Sequence, residues 1–362
     1  MIYRSRIALA LAALWLVACN VTPTSDDAPI TAPPHGPVTA FIGAHVFDGE
    51  RFVARDLCVA EAVIVSCGGS VETAVDLSGT FITPPFGDAH THHFDGPFTL
   101  DWHTALGIES GAFYAMTMTA PTSGVLQIRD RLSGPGNIDV ATSLGGITGP
   151  NSHPAEIYEA LALGFRSYEQ QLENADAIRA SRKAADNAYY RVETEMDIRR
   201  KMELLLANAP DHIKVYLRHS ERYEEGWGKW GPGGGVDPDL LPLIAELASE
   251  ADKRLAIAVS SVHDYRKSLA VGADVVTHLP CYQDTETDPD SPYFDISEEA
   301  DCLLSWEDAL SAARFGMANT LVVTEWAKDR TAKIDTWEKA NITRLQNAGA
   351  PYWSLLMPMA RR

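Results

Sequence analysis

The sequence predicts an α/β fold in two parts, a small β-rich segment followed by a larger body of βα units wound around a parallel sheet. Three observations carry that expectation. Between residues 39 and 81, short β-rich runs are separated by turn residues. Beyond Pro84, apolar strand-like runs alternate with longer amphipathic segments. A chain of 362 residues with 46% hydrophobic and 22% charged side chains can bury a large core, which excludes disorder and fibre. The charge balance of 30 Lys+Arg against 49 Asp+Glu, net −19, leaves no diffuse positive field for a phosphate backbone or an anionic lipid surface. Nucleic acid is therefore not an expected partner.

At the N-terminus, Arg4 and Arg6 precede an apolar stretch from Ile7 to Ala18. It is too short to span a bilayer and has the length of a signal-peptide hydrophobic region, so residues 1–18 are read as a signal peptide. Leu16-Val17-Ala18-Cys19 resembles the lipobox of bacterial lipoproteins, which implies cleavage before Cys19 and lipid on its thiol. Asn20 after it favours the outer membrane, facing the periplasm, with membrane contact only through that anchor. A plain secretory signal with an incidental Cys19 is the alternative. Residues 19–37 carry Pro23, Pro29, Pro33, Pro34 and Pro37 with few large apolar side chains, and read as a flexible tether.

Residues 38–82 are expected to form the small β domain. The runs Ala40-Phe41-Ile42, Leu57-Cys58-Val59, Val63-Ile64-Val65 and Thr80-Phe81-Ile82 suggest an antiparallel sheet with a hairpin turn near Glu61-Ala62. Apart from Cys19, four cysteines remain, an even number for an oxidising compartment. Cys58 and Cys67 flank the hairpin and Cys281 and Cys302 bracket a polar loop, so these are the preferred pairs; four buried free thiols are the alternative.

From residue 83 onward, candidate strands are Ala112–Met118, Ile138–Leu144, Ile213–Leu217, Leu255–Val259, Val275–His278 and Thr320–Thr324. Ala155 to Ala207 reads as long helical scaffold, entered at Pro154 and closed before Pro210. Pro232-Gly233-Gly234-Gly235 reads as a flexible loop, and Asp237-Pro238 as the opening of a helix that runs to about Ser249.

Three segments bear chemistry. In Gly87-Asp88-Ala89-His90-Thr91-His92-His93, residues two apart on a strand share a face, so His90 and His92 can offer both imidazoles to one cation. Imidazole pairs suit zinc. In Asp211-His212-Ile213-Lys214-Val215-Tyr216-Leu217, a lysine sits among apolar neighbours on a strand, costly to bury unless modified or paired. Carbon dioxide can turn such an amine into an anionic two-oxygen ligand; a lysine snorkelling from an edge strand is the alternative. In Val275-Val276-Thr277-His278-Leu279-Pro280, a histidine ends an apolar strand before a loop, the end at which barrel sites are built, although a satisfied core histidine reads the same way.

Taken in order, these segments resemble the amidohydrolase superfamily, in its prolidase and imidazolonepropionase-like branch, from about Thr39 to Pro351. The resemblance implies a distorted (β/α)8-type barrel over residues 83–362, with a small β-sandwich domain beside it. It implies a metal-dependent hydrolase of carbon–nitrogen bonds in small amides, cyclic amides or dipeptides, with a small-molecule substrate and one or two divalent metals, usually Zn2+. His90 and His92 would hold the more buried metal, Lys214 would bridge as a carbamate, and His278 would hold the second.

The resemblance breaks in two places. The fifth-strand histidine of the family falls on Ala258, for which His263, His93, His219 and His153 are the available substitutes. The eighth-strand Asp that serves as general base is absent before Arg362, so the last strand is expected to be missing and the catalytic base has no candidate residue. Read one base out of frame after Pro351, the same codons can spell an apolar strand followed by Asp, so a frameshift is expected there. Two rival expectations follow: a catalytically inactive binding protein of the same fold, and a truncated product without function.

Overall fold

The structure, a computed structural model, describes residues 36–353 except 69, 151, 226–232, 282–298 and 321–331. The segment read as a signal peptide, Cys19 and nearly all of the segment read as a tether lie outside the described residues. No described helix is long and apolar enough to cross a membrane. The chain divides into two compact units between Pro84 and Pro85.

Among the described residues the first unit has seven strands: β1 Val38–Ile42, β2 His45–Phe47, β3 Phe52–Ala54, β4 Leu57–Ala60, β5 Val63–Val65, β6 Val71–Asp76 and β7 Phe81–Ile82. They form two sheets, in the orders β5-β4-β1-β6 and β3-β2-β7. The expected antiparallel arrangement holds for β1–β4, β4–β5 and β2–β3. It fails for β1–β6 and β2–β7, which are parallel, because the chain returns to the free edge of an earlier strand in the same direction. The β4–β5 hairpin closes through Glu61 and Ala62 at φ 49° and 61°. Positive φ at both central residues matches the right-handed twist of the flanking strands. Val38, Ala40, Cys58 and Ala60 form the small core, and Cys58 is bonded to Cys67 across that hairpin.

The second unit carries β8 Phe86–Thr91, β9 Ala112–Thr117, β10 Asp139–Thr142, β11 Gly146–Thr148, β12 Tyr189–Arg191, β13 His212–Arg218, β14 Gly234–Gly235, β15 Arg254–Ala258, β16 Val275–Thr277, β17 Ala318–Thr320 and β18 Tyr352–Trp353. One sheet runs β10-β9-β8 and the other β12-β11-β13-β15-β16-β17-β18, all parallel; β14 adds antiparallel to the end of β13. Helices stand between most successive strands, as βα connections require.

The two sheets face one another. Met118, just after β9, packs with Ala256 of β15 and Val275 of β16, and His90 of β8 meets Thr320 of β17. They enclose an interior, the wall of a distorted barrel. Outward-facing residues such as Ile213, Val215, Leu217, Leu255, Ile257 and Val276 join the large core with the helices. The eighth position, which the sequence reading leaves empty, holds the two-residue β18, with Tyr352 beside Asn319 and Trp353 beside Thr320.

The stretch expected as long helices is broken into Ala155–Leu163, Tyr168–Glu173, Ala175–Ala180 and Glu195–Leu206, with β12 inserted. Gly164, at φ 89°, stops the first helix, and Ser167 restarts the chain with a capping box. The glycine loop is partly strand: Gly235 pairs with Leu217 at φ 81°, where a Cβ would fall 2.3 Å from the Tyr216 carbonyl oxygen. Cys281 is bonded to Cys302, the second preferred pair.

Asp264 ties together the C-terminal ends of β13 and β15. Its buried carboxylate accepts the backbone N–H groups of His219 and Ser220 on one side and of Ser260 and Ser261 on the other, at 2.9–3.3 Å. Removing it strands several buried donors. Asp264→Ala should lower unfolding free energy by about 3 kcal/mol, and Asp264→Asn by less, in urea denaturation monitored by fluorescence.

Candidate active site

The site is built from the ends of β8 and β16 and the interior face of β13. On β13, alternation sends Ile213, Val215 and Leu217 outward and His212, Lys214, Tyr216 and Arg218 to the interior. All four interior residues are buried. The expectation singled out Lys214 alone; the polar residue at every second position of this strand was the signal that would have added the other three.

His90 is buried, and its Nδ1 lies 3.3 Å from the Thr320 hydroxyl. That hydroxyl donates to the Val276 carbonyl, so it accepts the His90 Nδ1 proton and leaves Nε2 with its lone pair. His92, the exposed member of the set, donates from Nδ1 to the Thr119 carbonyl at 3.0 Å, which again leaves Nε2 with its lone pair. Thr119 is held in turn by the hydroxyls of Tyr158, at 3.2 Å, and Tyr216, at 2.6 Å. The His90 and His92 rings are 5.5 Å apart. His278 follows β16 in the left-handed region, φ 72°, and its ring comes within 4.6 Å of His90. Non-glycine residues held at positive φ cluster at functional sites, and His219 at the end of β13 is another, φ 43°.

Lys214 donates to the Thr277 hydroxyl and sits 5.1 Å from the Tyr216 ring centroid. Among the described residues no carboxylate lies within ion-pair distance of it. Burial, reinforced by the Arg218 guanidinium, holds its amine well below the ordinary lysine range. Burial and then the Lys214 charge push His90 well down; burial and then His90 do the same for His278. The structure thus brings His90, His92, Lys214 and His278 together. The amine and the two buried imidazoles are biased toward the neutral form, the state in which an imidazole ligates a metal.

As the side chains stand, no group of three or more His, Cys, Asp or Glu among the described residues meets a metal-binding geometry. The donor chemistry nonetheless fits a cation that prefers nitrogen: two imidazoles fixed through Nδ1, a third beside them, and a buried amine. Ala258 supplies no donor; it is fully buried in register between Tyr216 and Thr277. None of the four substitutes is seen to fill its place. His263 is exposed as the second residue of the helix Val262–Ala270. His93 is stacked on His103 at 4.1 Å. His219 is bonded to Glu221, and His153 to Glu156.

Residues absent from the sequence expectation also line the interior. Arg218 donates to the Ser260 hydroxyl at 3.1 Å. His212 is buried with no hydrogen-bond partner for either ring nitrogen among the described residues, and burial, with Lys214 and Arg254, pushes its pKa down to about 3.

No protein-family model matches the sequence, and no curated protein matches it either. Solved structures do. The chain is similar to a prolidase complexed with N-methylphosphonate-L-proline, at 14% identity and TM-score 0.57 over 87% of this chain and 77% of that one. A Xaa-Pro dipeptidase with bound methionine matches at 12% identity and TM-score 0.56, over 88% and 78%. Ochratoxinase from A. niger matches at 13% identity and TM-score 0.57, over 88% and 75%. The fold is therefore that of the amidohydrolase and prolidase structures.

The buried His212 makes stability depend on acid. Its folded pKa of about 3 lies below the unfolded value of 6.5, so the unfolded chain binds more protons across that window. Stability should fall as pH drops from 6.5 toward 3, by about 5 kcal/mol from this group once it is fully protonated on unfolding. His90 and His278 act in the same direction. His212→Phe should flatten the acid limb of a denaturation series, and an unchanged limb would show that His212 does not titrate on unfolding.

Proposed function

We propose that this chain, sharing the fold of those hydrolases, is itself a metal-dependent hydrolase of carbon–nitrogen bonds in small amides, cyclic amides or dipeptides. One observation carries the reading: His90, His92 and His278 meet at the ends of β8 and β16, and Lys214 of β13 joins them through Thr277, whose strand partner Thr320 bonds His90. His90 and His92 would hold the cation through Nε2, and His278 would add a third imidazole. Lys214, biased to the neutral amine, is in the form that adds carbon dioxide to give an anionic oxygen ligand. Zinc is the metal best suited to this set. When bound, such a metal polarises a carbonyl and lowers the pKa of water toward neutrality. With this reading goes the N-terminal one: a lipid on Cys19 and an outer-membrane position facing the periplasm.

Ala258 favours a second reading, a non-catalytic binding protein of the same fold, since it removes one nitrogen from the set that the resemblance implies. Elemental analysis of the purified protein, with a panel of dipeptides and lactams, decides between them. The hydrolase reading expects at least one equivalent of divalent metal, turnover abolished by a chelator and restored by zinc, and a loss of about 100-fold or more in kcat for Lys214→Ala. A folded protein that retains no metal and turns over nothing in the panel supports the binding protein instead.

A further inference from the structure

The end of the second unit opposite the candidate active site carries a cleft of its own. It holds about 730 Å3 and lies where β13 and β15 begin, beside the helix Leu241–Glu250. His212, the first residue of β13, lines it at 1% exposure, with neither ring nitrogen bonded among the described residues. Arg254, the first residue of β15, is its neighbour in register. Ala256 and Val275, in register with Lys214 and packed with Met118, lie between this level and that of Thr277 and His278. The cleft is therefore separate from the histidines of the candidate site.

Its lining divides by chemistry. Met116, Ala245, Ala248, Leu255 and Val271 supply an apolar wall. Asp211, Asp252, Arg254 and Asp274 are exposed at the mouth, with Lys253 half-buried beside them. Among the described residues neither Lys253 nor Arg254 is held in an ion pair. Asp211 and Asp274 each commit one carboxylate oxygen to a backbone N–H, that of Thr142 at 2.7 Å and that of Leu255 at 2.8 Å. With two cations and three carboxylates, the mouth as a whole suits neither a simple anion nor a simple organic cation. No group of three His, Cys, Asp or Glu among the described residues has the geometry for a metal ion. At the buried end, an uncharged imidazole presents one N–H and one lone pair, and burying both without partners is costly.

The ligand that answers this set carries a hydrogen-bond acceptor, a donor, both signs of charge and a short apolar body. We propose that the cleft binds a free aliphatic α-amino acid as its zwitterion. The carboxylate is taken by Arg254 and Lys253, the ammonium by the carboxylates of Asp211, Asp252 and Asp274, and the side chain by the Ala245 and Ala248 wall. A zwitterion alone among small ligands brings His212 a charged acceptor and a charged donor together. The volume accommodates the whole molecule. No bond is made or broken, and none of His90, His92, Lys214 and His278 takes part, so the inference stands apart from the hydrolase reading.

The test is equilibrium dialysis of the full chain against radiolabelled L-leucine at neutral pH. One saturable equivalent is expected. N-acetyl-L-leucine, which lacks the ammonium, and L-leucinamide, which lacks the carboxylate, should each compete about 10-fold less well or worse. Arg254→Ala, at an exposed position that folding does not need, should weaken binding by about 10-fold or more, and Ala248→Phe, which fills the wall, should remove it. His212→Gln, which keeps a donor and an acceptor, should retain more affinity than His212→Phe. His278→Ala, at the other level, should bind leucine as wild type does. Absence of saturable binding up to about 10 mM overturns the inference. So does binding that both Arg254→Ala and Ala248→Phe leave intact, binding that His278→Ala abolishes, or equal competition by either capped analogue.

Discussion

A lysine amine buried in the interior, with a hydroxyl and an aromatic face for company, is the constraint around which the second unit is arranged. Leaving an ammonium there uncompensated costs several kcal/mol, so the group is held toward its neutral form. Everything near Lys214 agrees with that bias: Thr277 accepts its hydrogen bond, Arg218 stands above it on the same strand face, and the imidazoles of His90 and His278 share its low-dielectric surroundings. Neutral nitrogen donors in a buried interior are unstable partners for protons and good partners for a soft or borderline cation. The chemistry follows from the cost of burial.

That interior persists because the strand ends around it are tied by groups that do no chemistry. Asp264 joins the ends of β13 and β15 through backbone amides, Asp274 accepts the Leu255 N–H at the opposite end of β15, and Tyr265 reaches Asn319 behind β17. On the histidines themselves, Thr320 and the Thr119 carbonyl set which nitrogen keeps its proton. These contacts fix the orientation of the imidazoles as well as hold the fold. The left-handed residues His219 and His278 lie at the same rim, where the chain leaves its strands.

Much of this was legible beforehand. The order of His90-Thr91-His92, Lys214 and His278 along the chain, with apolar runs around each, pointed to the barrel and to the residues that meet in it. Both disulfide pairs followed from cysteines flanking a hairpin and a polar loop. Strand β6 of the small unit was hidden, because it is exposed along its whole length and carries no alternation; β7 was visible as the run Thr80-Phe81-Ile82, and only its parallel pairing with β2 was not. The insertion of β12 was hidden too, since Tyr189 and Tyr190 sit inside a helix-rich composition and become strand only by pairing with β11.

What the sequence determined by itself is local and periodic. Residues two apart share a face, a Ser three before a Gln or Asp opens a helix, and a buried lysine is expensive wherever it lies. These depend on neighbours in the chain and on the chemistry of one side chain. The tertiary structure alone decided that His153 would pair with Glu156 and lean on Tyr216, that Ala258 would be sealed between Tyr216 and Thr277, and that none of the spare histidines would be seen in its place. Those outcomes turn on the twist and closure of two sheets. Closure brings residues more than a hundred positions apart within a few ångströms, and no local rule of the chain specifies it.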